Sequence, residues 1–82
     1  MKRAAFVALR DILHAIDAVG DMTGGVEFGT YRSDVKLRFA VERGVEIVSE
    51  ASRRISDEDK ALFPDVPWPE IAAIGNRLRH EY

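Results

Sequence analysis

The segment from Ser33 or Asp34 to Ile55 constrains the fold of this chain more than any other. Within it Val41, Val45, Val48, Ser52 and Ile55 recur at alternating intervals of four and three. That spacing is one stripe of a helix with 3.6 residues per turn. At 1.5 Å per residue the segment is ~33 Å long, the expected longest element of the domain. The opposite side carries Phe39, Arg43, Glu46, Glu50 and Arg53. Gly44 lies in mid-helix, where glycine costs about 1 kcal/mol relative to alanine. Close approach of another backbone at that point is the expected reason for it.

The flanking segments read as helices too. Between Lys2 and Val19 the residues Phe6, Leu9, Leu13 and Ile16 form an amphipathic stripe, widened by Ile12 and Val19. The other face has Arg3, Arg10, Asp11 and Asp17, and His14 sits beside the stripe as a partly exposed helix histidine. Gly20 fits a stop. Thr23-Gly24-Gly25 is a loop, without the preceding strand or the following lysine of a phosphate-binding loop. Residues from Glu27 to Arg32 predict a single turn or short helix that docks Phe28 and Tyr31 on the bundle. Ser33 or Asp34 caps the long helix, and Ser56-Asp57-Glu58-Asp59 caps a brief one that Pro64 ends. Pro67 and Pro69 bracket Trp68 in the first turn of a last helix. That helix puts Trp68, Ile71, Ile74, Leu78 and Tyr82 on one side, with Asn76 and His80 on the other. The expected fold is all-α: an up-down bundle of three main helices plus one or two short ones, in a single domain over residues 1–82.

Composition narrows the function classes. A chain of 82 residues buries only about 60–65% of its surface on folding, and 46% hydrophobic residues argue against a disordered chain. A net charge of −2 means that any nucleic-acid binding must come from a local basic patch. No cysteine is present, and no segment approaches the roughly 20 apolar residues that span a bilayer. The apolar run after Met1-Lys2-Arg3 is broken by Arg10 and Asp11. A soluble, cytoplasmic protein with no membrane partner is expected.

Chemistry-bearing groups concentrate at the end of the chain. An imidazole titrates near neutrality, so His80 can take a proton from a ribose hydroxyl or return one to a leaving oxygen. A guanidinium from Arg77 or Arg79 can brace a phosphate as charge builds. One histidine with scattered carboxylates lacks convergent metal-ligand spacing, so neither a metal nor another cofactor is implied. Glu46 and Glu50 read first as a solvated helix face, paired locally as Arg43 to Glu46 and Glu50 to Arg53 or Arg54. Glu50 is also a candidate for lining the site and orienting a cation.

The last stretch resembles the end of the HepT-like ribonuclease family of the HEPN superfamily. Pro67, Trp68, Ile71, Asn76, His80 and Tyr82 fall on its pattern of Pro-Trp, Ile, then Arg-Asn, three residues, His, any residue, Tyr. Arg43, Glu46, Ile47, Glu50 and Ala51 resemble a second family run. The family's motif arginine is replaced by Gly75, and family members usually continue past the tyrosine with another helix. The resemblance implies a metal-independent endoribonuclease toxin that acts as a homodimer, cuts RNA to leave a cyclic phosphate, and is neutralised by a nucleotidyltransferase antitoxin. It implies His80 as acid/base, Asn76 as a positioning group and Tyr82 as the target of adenylate addition. Arg79, one turn after Gly75, is the candidate replacement guanidinium. Loss of a charge-stabilising donor typically costs about 10²–10³ in rate, so an impaired interaction or nucleotide-binding module is the alternative. A groove left open by the missing helix would favour self-association.

Overall fold

The computed structural model describes the backbone of residues 1–81 and the side chains of residues 1–78. Five helices follow in order: α1 (Arg3–Thr23), α2 (Phe28–Ser33), α3 (Val35–Arg53), α4 (Asp57–Lys60) and α5 (Trp68–Glu81). No strand occurs among the described residues. The architecture is the expected up-down helical bundle.

Local chemistry sets the element boundaries. The Asp34 carboxylate accepts the Leu37 amide at 3.0 Å, and the Ser56 hydroxyl accepts the Asp59 amide at 3.2 Å. Each satisfies one of the amide donors that a helix start leaves unpaired. Gly25 takes a φ of +75°, the left-handed turn that lets the chain leave α1 for α2.

Packing is organised around α3. Helix α1 runs antiparallel to it, with Ala5, Ala8, Ala51 and Ile55 forming the buried core and Leu9, Ile12 and Trp68 packed against them. A Cβ built on Gly44 would stand 2.5 Å from Val19 Cγ2, so the expected close approach of a neighbouring helix is present at that glycine. Arg54 Nη2 donates to Asp11 Oδ2 at 2.9 Å across the same interface. Helix α5 returns antiparallel along the other side of α3. Its start is held by Trp68, whose indole N–H is shared between the carbonyls of Lys60 and Phe63 at 3.3 Å each. Further along, the Ala72 carbonyl accepts both Ser49 Oγ at 3.1 Å and Arg53 Nη2 at 3.0 Å. The molecule measures 41 × 26 × 20 Å, a flattened layer in which α3 is the middle member.

Five expectations need correction. Helix α1 runs through Gly20, which was expected to stop it, to Thr23. At 21 residues α1, rather than the 19-residue α3, is the longest helix. Only part of the apolar stripe of α1 faces α3: Leu9, Ile12 and Val19 pack there, but Phe6, Leu13 and Ile16 are all more than half exposed. The buried side is instead Ala5, Ala8 and Ala15, because small side chains let two helix backbones approach closely. In α5, Ile74 is exposed and Gly75 is buried, for the same reason. Phe28 is 75% exposed rather than docked, whereas Tyr31 is half-buried.

Candidate functional site

Helix α5 presents two faces with different chemistry. Trp68, Ile71, Gly75 and Leu78 mark the packed side, and Asn76 and Arg77 are exposed on the other. His80 falls four residues after Asn76, hence one turn further along in helical register. The side chains of Arg79, His80 and Tyr82 lie outside the described residues, so their expected roles rest on sequence register alone. Arg79 shares its register with Gly75.

On α3, Phe39, Arg43, Glu50 and Arg53 are exposed, as the periodicity required. Arg43 pairs with Glu46 at 3.7 Å, one of the local pairs expected. The two arginines expected to pair with Glu50 also make longer-range contacts: Arg53 reaches the Ala72 carbonyl of α5, and Arg54 pairs with Asp11 of α1. Both are sequence-distant contacts, which helical spacing alone cannot reveal. His14 is exposed on α1, as expected.

The antiparallel course of α3 and α5 fixes levels along the bundle. Ser49 meets Ala72. Eight residues back along α3 reach Val41, and eight forward along α5 reach residue 80; each path is about 12 Å at helical rise. The end of α5 therefore lies level with the first half of α3, at the end of the bundle where α2 sits. A small apolar cavity opens there, about 290 Å³ in volume and lined by Thr23, Val26, Phe28, Tyr31 and Val41. The Phe28 and Tyr31 rings are stacked, 6.3 Å between centroids and 29° between planes. Reading the sequence placed both rings against the bundle and missed this cavity. Its signal was the i, i+3 aromatic pair directly after the glycine loop.

An all-helical bundle whose last helix carries an outward polar motif is the architecture of a HEPN-type protein. Residues 12–82 match the family described as Ribonuclease HepT-like. The chain belongs to that ribonuclease family. It is 39% identical, over its whole length and 74% of the relative, to the probable ribonuclease HepT of Thermococcus cleftensis. It is 36% identical over 99% of its length, and 74% of the relative, to "Putative RNase MJ1380" of Methanocaldococcus jannaschii. No solved structure matches the chain. Among the described residues no helix is long and apolar enough to cross a membrane.

Proposed function

We propose that this chain is a metal-independent endoribonuclease toxin that works as a homodimer, with the ends of two α5 helices facing one cleft. The observation that carries the reading is the two-sidedness of α5: Gly75 is buried while Asn76, which falls on the family pattern, and its neighbour Arg77 stand exposed. In the reaction, His80 of one subunit removes the proton of a ribose 2′-hydroxyl. The freed oxygen attacks the adjacent phosphorus, the bond to the 5′-oxygen breaks, and a second imidazole protonates that leaving oxygen. The products are a cyclic phosphate and a 5′-hydroxyl end. Asn76 positions the phosphate. Arg79 supplies the guanidinium that the family carries at position 75, and Arg77 and Glu50 support the site. A nucleotidyltransferase antitoxin is the partner, and adenylate on Tyr82 places bulk and negative charge where RNA phosphate must sit. The cytoplasm is the expected compartment.

The test is incubation of the purified protein with RNA in EDTA. Cyclic-phosphate ends that disappear in His80→Ala support the reading, as does a rate drop of about 10²-fold in Arg79→Ala. Unchanged cleavage by His80→Ala overturns it. A second reading is favoured by Gly75 itself: the family's arginine position bears no side chain and is packed toward α3. On that reading the chain is a non-catalytic module that keeps the dimer and the antitoxin contact, and Gly75→Arg, if it folds, gains cleavage the parent lacks.

A further inference from the structure

We infer that the cavity between the end of α1, α2 and α3 is a nucleobase-binding subsite, where Phe28 and Tyr31 take one unstacked base of a single-stranded RNA. The inference rests on the ribonuclease reading and extends it from cleavage to recognition.

Four observations converge. First, the rings are built for stacking. Phe28 is 75% exposed, its ring is inclined 29° to that of Tyr31, and both line the cavity. An aromatic held this far out of the core contributes little to folding, yet exposed aromatic faces are the usual platform for splayed RNA bases. Second, the size suits one planar ring system: about 290 Å³, at the small end of ligand pockets, with Val26 and Val41 adding to an apolar lining. Third, the polar trim is sparse. Thr23 donates its hydroxyl proton to the Val19 carbonyl at 2.7 Å, which leaves the oxygen's lone pairs as an acceptor at the rim. Fourth, Arg32 and Lys36 stand exposed just after the aromatic pair, with Asp34 between them, two cations that the phosphates of a bound strand can meet.

The experiment uses a short 2′-O-methyl RNA, which cannot be cut, carrying one 2-aminopurine. Full-length wild-type protein should bind it and quench the 2-aminopurine by stacking. Phe28→Ala should weaken binding about tenfold and remove the quench, and Phe28→Trp should restore both. Far-ultraviolet circular dichroism confirms that the variants keep their helices. If Phe28→Ala binds and quenches like the wild type, the subsite is wrong, while the ribonuclease reading still stands on the His80 test. If Phe28→Ala leaves the quench intact but changes the oligomeric state on gel filtration, the pocket is a protein-docking surface and the inference is overturned. A wild-type protein that neither binds this RNA nor cleaves ordinary RNA removes both readings together.

Discussion

Replacing Gly44 with alanine sets two known effects against each other. Alanine favours a helix interior over glycine by about 1 kcal/mol. Against this, the new Cβ would lie 2.5 Å from Val19 Cγ2, where carbon atoms prefer about 3.5–4.0 Å. At least an ångström has to be found. Valine in a helix has one dominant rotamer, so its methyl cannot simply swing aside. The remaining routes are an unfavourable rotamer or a shift of α1, and overpacking of this kind costs about 1–3 kcal/mol. The clash outweighs the propensity, and Gly44→Ala should destabilise the fold by about 1 kcal/mol. With Val19→Ala already in place the obstruction is gone, and the same change should stabilise by about 1 kcal/mol. The sign reverses, giving a coupling of about 2 kcal/mol. Urea denaturation at fixed protein concentration reads this as a midpoint lowered by up to about 1 M in one background and raised in the other. Gly20→Ala is the control: nothing lies within 4 Å of its added Cβ, so it should stabilise in both backgrounds. A stabilising Gly44→Ala in the otherwise unaltered protein would refute the close approach of α1 to α3.

Other outcomes follow from single contacts. Trp68→Ala removes the large ring packed on the core and the indole N–H shared by two carbonyls, and should cost about 3–5 kcal/mol in urea unfolding. Asp34→Ala removes the cap of α3 and should cost about 1 kcal/mol, with Asp34→Asn retaining most of it. Asp11→Ala breaks the Arg54 pair between two partly exposed groups and should cost less than about 1 kcal/mol, a loss that salt diminishes.

The fold was legible wherever a local rule decides. Asp34 and Ser56 cap as their residue types require, and Gly44 marks a close contact because little else explains glycine in mid-helix. What failed was the choice of individual contact residues on α1 and α5: Trp68, Ile71 and Leu78 pack as expected, while Phe6, Leu13, Ile16 and Ile74 do not. Periodicity locates an apolar stripe, but it counts Phe6 or Ile74 above Ala5 or Gly75. The structure prefers the smaller residues at the contact, since α3 is approached backbone to backbone. The polar side of α5 was readable because Asn76 needed only to avoid the packed side. The cavity by Phe28 was missed although the i, i+3 aromatic pair signalled it, because its shape depends on how the consecutive α1, α2 and α3 fold against one another.

The Ala72 carbonyl, held by Ser49 and Arg53 of α3, works as a ratchet stop. Sliding α5 by one turn would move its tip about 5.4 Å and break both contacts at once. The placement of the α5 backbone along the bundle is therefore gauged from a peptide oxygen far up the same helix, and substitutions there can shift its far end without ever coming near it.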